Sequence, residues 1–179
     1  MARGGWVLAA VATGLILAAM GRQQLSTPSA PVSTVVPKRI DIPALSVKAP
    51  LRKLGLSSTG DVELPPFDKP AMAGWYTGSA VPGDSGASVI IGHVDTKTAP
   101  AVFYRLRDMR PGEIVRVLRS DGKTAQYEVD SVERVPKDHF PADRVYEGQG
   151  LRLVTCGGAF DWTHHQYVDN IIVYASLVT

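Results

Sequence analysis

Cysteine is almost absent from this chain of 179 residues: Cys156 is the only one. A disulfide within the chain is therefore excluded, although exported proteins generally use cysteines in pairs. Aromatic residues make up only 7% of the sequence. No stretch shows sustained helical periodicity, which argues against a helical bundle. The 19 basic and 17 acidic residues leave a formal net charge of +2 with no block of like charge. That balance argues against a nucleic-acid partner. No CxxC or HxxxH spacing links Cys156 with His93, His139, His164 or His165, so a zinc site has no support. No acidic loop cluster suggests calcium, and neither metal nor cofactor is expected. Glycine (17) and proline (13) are plentiful, a composition that suits a β-rich, loop-rich domain.

The first long apolar run is Gly5 to Gly21, preceded by Arg3 and followed by Arg22. It is at the short end for a spanning helix, and residues 1–22 are read as an uncleaved membrane anchor with the domain outside. The small residues at Ala18-Ala19 make a cleaved signal peptide the alternative. Either version exports the domain. Residues 23–37 are dominated by Ser, Thr and Pro and predict an extended tether. The folded domain is expected over 38–179, enough chain for one real core.

Within it, short β-prone runs alternate with turn signals. Lys38 to Ile42 alternates and stops at Pro43. Ser88-Val89-Ile90-Ile91 is continuously apolar and follows the turn-rich Pro82–Gly86. Ile114 to Leu118 and Ala125 to Val129 flank Ser120-Asp121-Gly122-Lys123, a hairpin signal. Leu151 to Cys156 and Asn170 to Leu177 are two further strands. A short helix is expected over Ala101 to Met109, ended by Pro111-Gly112. These elements predict an all-β domain with short helices, closed into a mostly antiparallel barrel, because closure removes exposed edges.

An unpaired cysteine in an exported domain is a buried apolar filler, an intermolecular link or a nucleophile. Cys156 ends an apolar run and is followed by Gly157-Gly158, which predicts a strand that turns and presents the thiol at the sheet rim. His93 has a similar address, following Ser88–Ile91 through Gly92. Cys156 as nucleophile with His93 as its partner fits both placements. Asp95 and Asp161 are the nearest carboxylates that could orient an imidazole. His164 and His165 are expected on a loop, with at most one of them near the site. His139, in a Pro-flanked loop, is expected to be solvated.

Leu153-Val154-Thr155-Cys156 resembles the TLxTC strand signature of sortases, and Gly92-His93-Val94-Asp95 resembles their histidine loop. The resemblance extends to Ile40-Asp41-Ile42-Pro43, Ala73-Gly74-Trp75-Tyr76, Pro82-Gly83 and Val102-Phe103-Tyr104-Arg105-Leu106. Cys156 to Asp161, with Tyr167-Val168-Asp169-Asn170, is similar to the class F branch of high-GC Gram-positive bacteria. The resemblance implies a β-barrel of about eight strands and cysteine transpeptidase chemistry on LPxTG-type sorting signals of secreted proteins. Cys156 would form a thioacyl enzyme, and an amine acceptor on a cell-wall precursor would resolve it. His93 would protonate the leaving amine and accept a proton from the incoming one. An ion pair between Cys156 thiolate and His93 imidazolium fits this, because the thiolate is the reactive form. The implied location is the plasma membrane, with a single-pass anchor and an extracellular catalytic domain.

One family feature is missing. Sortases carry an arginine after the cysteine that holds substrate and stabilises the oxyanion, and no Arg or Lys follows Cys156 here. Trp162 and Asn170 stand near where a basic residue is expected. Strand alternation puts positions 152, 154 and 156 on one face, so Arg152 is the expected substitute. On that reading Arg152→Ala abolishes cleavage with a much smaller loss of peptide affinity. Val154, Thr155, Gly157 and Arg105 are expected to contact substrate, with signal preference set between Val132 and Gly150. The missing arginine also leaves room for a binding module with little turnover. A mainly hydrolytic enzyme is a third reading.

Overall fold

The computed structural model describes residues 34–178; the leader and residues 23–33 of the expected tether lie outside them. Among the described residues no helix is long and apolar enough to cross a membrane. The strands are β1 (Pro37–Ile42), β2 (Val47–Leu54), β3 (Ala73–Tyr76), β4 (Ala87–Gly92), β5 (Ile114–Arg119), β6 (Thr124–Pro136), β7 (Gly150–Asp161) and β8 (Gln166–Leu177), with a helix α1 (Ala142–Tyr146). They close into one barrel in the order β1-β2-β3-β4-β7-β8-β6-β5. Two neighbouring pairs, β2–β3 and β4–β7, are parallel.

Period-2 alternation decides which residues face in. In β1, Ile40 and Ile42 are fully buried within the barrel. Pro43 then starts a single 3₁₀ turn, and Ser46 turns the chain into β2 with φ 56°. The β5–β6 hairpin closes through Asp121, whose Oδ1 accepts the Lys123 N–H, and through Gly122 at φ +80°. Strand β4 is apolar apart from the buried Ser88, because it is buried on both faces. Ile90 packs in the barrel, while Val89 and Ile91 pack outside with Val154, Ile172, Tyr174 and the α1 residue Val145.

Three features differ from the sequence expectation. The segment Ala101–Met109 forms turns and one 3₁₀ turn, Leu106–Asp108, in place of a helix. Its amides are used elsewhere: Ala101, Val102 and Phe103 donate to the carbonyls of Val94, Pro70 and His93. The later amides of Tyr104, Leu106, Asp108 and Met109 bond three residues back instead of four, and Phe103 and Leu106 are fully buried. Strand β7 does not turn at Gly157-Gly158. It runs on to Asp161 with a register irregularity between Gly157 and Phe160. A Cβ on Gly157 would lie 2.7 Å from Ile171, so the glycine serves close approach of β8. Finally, β2, β3 and α1 carry no strong sequence signal as elements and appear only in the structure.

Candidate active site

His93 and Cys156 come together through strand pairing. In the parallel pair β4–β7, Ile91 lies opposite Val154, and each chain reaches the residue in question two positions on. Neighbouring strands lie roughly 5 Å apart, so the two residues stand at the same end of the β4–β7 pair, although His93 does not line the cleft that Cys156 borders. Gly92 makes the exit of β4 possible: a Cβ there would stand 2.5 Å from the Phe103 ring.

His93 is only 8% exposed, so its polar ring requires partners. Nε2 lies 2.7 Å from the Pro65 carbonyl. A carbonyl only accepts, so Nε2 carries the proton and Nδ1 is the nitrogen left for proton exchange. Phe67 stacks on the ring with centroids 4.0 Å apart and planes 23° apart. Both contacts come from the β2–β3 connection, which therefore fixes the imidazole plane.

Cys156 is a partly exposed free thiol within β7, not at its end. It borders a cleft of about 820 Å³ lined also by Asp95, Tyr104, Arg107, Arg134, Thr155, Gly157, Gly158 and Tyr167. Asp95 does not orient His93; it accepts a short hydrogen bond from the Tyr167 hydroxyl. That bond holds the Tyr167 proton and pushes its pKa up to about 12. It also ties the segment after His93 to the β7–β8 hairpin. The other carboxylate, Asp161, accepts from His164 Nδ1 and from the amides of Thr163 and His164. Those bonds hold its carboxyl below the usual range. His164 and His165 thus lie on the turn beyond β7, and the exposed His139 pairs with Asp138.

Arg152 lies on the expected outer face, yet its guanidinium is directed away from the thiol. It donates to the carbonyls of Arg144 and Leu151 and sits 4.9 Å over the Tyr174 ring. Only 9% exposed, it feels its burial first, which lowers its pKa. It does not line the cleft beside Cys156; it pins α1 to β7. Val154 also faces α1, in the outer apolar cluster. Thr155 and Gly157 do border the cleft, whereas Arg105 pairs with Asp108 and opens onto a second depression.

The two arginines that reach the cleft, Arg107 and Arg134, were not anticipated. Arg134 belongs to β6 and lies opposite Ile171 of β8, which lies opposite Thr155 of β7. No sequence spacing shows a row built from three strands. The Thr155 hydroxyl, on that row, is buried and has no hydrogen-bond partner among the described residues. The same residues show no group of three His, Cys, Asp or Glu side chains placed to hold a metal.

A family model described as a sortase domain matches residues 40–178. No curated protein matches the sequence. Among solved structures, sortase C-1 from Actinomyces oris is 25% identical, over 79% of this chain and 73% of that one, with a TM-score of 0.61. The lid mutant of sortase A from Corynebacterium diphtheriae is 22% identical, over 80% and 70%, with a TM-score of 0.61. Sortase C1 from Streptococcus agalactiae is 24% identical, over 79% and 67%, with a TM-score of 0.60.

Proposed function

Since the chain belongs to the sortase family, cysteine transpeptidases that anchor proteins at the cell surface, we propose that it cleaves LPxTG-type sorting signals and passes the acyl part to an amine. Cys156 is the nucleophile in this reading and His93 the acid and base. The observation that supports it most is the parallel pairing of β4 with β7, which ends two residues before both His93 and Cys156.

The thiolate of Cys156 attacks the Thr carbonyl carbon of the signal. The tetrahedral intermediate collapses as the C–N bond breaks, and the departing amine takes a proton from His93 Nδ1. The incoming amine then attacks the thioester carbon, gives a proton back to His93 and releases the sulfur. The Pro65 carbonyl holds Nε2–H throughout, so proton traffic is confined to one nitrogen. The apolar surface of Ile91, Val154, Tyr76 and Phe140 beside α1 suits the Leu-Pro part of the signal. The segment Cys156–Asp161 followed by Tyr167–Asn170 supports placement in class F. The apolar leader supports membrane attachment with the domain outside.

The missing arginine after Cys156 favours a second reading, a signal-binding module with little turnover. Intact-mass analysis of the full chain with LPxTG-type peptides separates the two. The expected result is a thioacyl adduct on Cys156 that an added amine chases into ligated product. Binding without adduct across several peptides supports the module, and adduct released only by water supports a hydrolase.

A further inference from the structure

The cleft beside Cys156 has an uneven distribution of unused hydrogen-bond capacity. Each of its carboxylates holds a hydrogen bond through one oxygen: Asp95 Oδ2 to Tyr167, Asp108 Oδ2 to Arg105 and Glu133 Oε1 to Arg144. Asp169, just behind it, pairs with Arg134 Nε at 3.2 Å. The donors are not used up. Arg134 spends only Nε on that pair, and Arg107 has a long 3.9 Å approach to Asp108 and a place over the Tyr104 ring. The terminal nitrogens of both guanidiniums have no partner among the described residues, and the buried Thr155 hydroxyl has none either. A buried hydroxyl without a partner costs free energy; Thr155 is one of three among the described residues, with Ser88 and Tyr174, and the one on a residue that borders this cleft. A planar guanidinium with free terminal N–H groups is suited to a carboxylate.

The opposite requirement is met nearer the thiol. Asp95 uses only Oδ2 for Tyr167, and its Oδ1 is open to an ammonium group. The cleft therefore offers an anionic oxygen two residues from His93 and cationic donors on the wall formed by Arg107 and Arg134. It lies on the sheet face of Thr155, whereas the apolar surface under α1 lies on the other face.

We propose that this cleft is the acceptor site and that it takes an amine that also bears a carboxylate. The proposal rests on the transpeptidase reading and adds the class of second substrate. The ammonium docks at Asp95 and the carboxylate at Arg107 and Arg134. The docked ammonium first loses one proton to solvent, and the nitrogen pair of the neutral amine attacks the thioester carbon. The new amide C–N bond forms, the second N–H proton passes to His93, the C–S bond breaks, and its electron pair stays on Cys156 sulfur.

The test uses one amine in two forms, glycylglycine and glycylglycinamide, which differ only at the terminal carboxylate. In the ¹⁵N-labelled full chain carrying Cys156→Ser, glycylglycine is expected to give saturable amide shifts at Thr155 and Gly157, with the amide binding about tenfold more weakly, the scale of one charge-assisted contact. Arg134→Gln and Arg107→Gln each remove that preference. Equal binding of the two peptides, no binding of either, or a preference unchanged in both variants overturns the proposal. With active protein loaded from a sorting peptide, glycylglycine should also divert more thioacyl enzyme from hydrolysis than its amide does. If no thioacyl enzyme forms, the transpeptidase reading falls, while the binding comparison still decides what the cleft accepts.

Discussion

At the scale of single residues, the proposed chemistry rests on the free Cys156 thiol and on Nδ1 of His93, the ring nitrogen that Pro65 does not hold. Cys156→Ala is expected to eliminate the covalent adduct seen by mass. His93→Gln should slow transfer by roughly two to four orders of magnitude, the usual worth of a positioned acid–base group, while peptide binding persists. Tyr167 gives a pH signature. Its pKa is raised above that of a free tyrosine by Asp95, so between pH 10 and about 12 the folded state holds a proton that the unfolded state has lost. The stabilisation is complete below the ordinary value and is lost as pH rises through the folded one. A phenolate absorbance titration should show a component near 12 that is absent from Tyr167→Phe. Gly158 has φ +77°, and a Cβ there would collide with the Asp169 carboxylate. Gly158→Ala is expected to destabilise the protein by at least about 1 kcal/mol, measurable by urea unfolding.

The positions of the two catalytic candidates, His93 just after β4 and Cys156 within β7, were legible because short apolar runs marked both core strands. Thr155 and Gly157 were legible from the same run. Arg107, Arg134 and Phe67 were not, because what places them is pairing between distant strands and the path of an irregular connection. The glycine pair misled for a physical reason. Glycine serves both turns and close backbone approach, and only the position of Ile171 and Asp169 on β8 tells which.

At the scale of elements, α1 and Arg152 form one unit. The alternation rule placed Arg152 on the same face as Cys156, but a face extends along the strand. The side chain runs back toward Arg144, whose own guanidinium lies 4.8 Å from the same Tyr174 ring. Arg152→Met keeps the bulk and removes the bonds to Arg144 and Leu151. It is expected to cost about 1–3 kcal/mol through the unpaired carbonyls. Acylation of Cys156 by a small acyl donor should remain within a few-fold of wild type, whereas a fall of orders of magnitude would return Arg152 to the chemistry. The lesson is that period 2 fixes a side, and packing of an unforeseen helix fixes a direction.

At the scale of the whole molecule, the barrel closes through β1 against β5, pairing Arg39 with Leu118. Such non-local pairing makes folding slow for a domain of this size, and refolding by stopped-flow fluorescence is expected on the millisecond-to-second scale. A variant lacking 34–42 loses β1, leaves the barrel open and should not refold.

Closure also limits how a peptide can be held. Many proteins capture extended peptides by β-augmentation, in which the guest donates backbone hydrogen bonds to an exposed strand. Here every strand has a neighbour on each side, and open rungs are confined to strand ends such as β7 beyond Val154, where its pairing with β4 stops. Away from those ends a sorting signal is read by side chains and connections laid over the barrel. Its sequence preference can therefore be rewritten in the segment between β6 and β7 while the β4–β7 ladder that leads to His93 and Cys156 stays as it is.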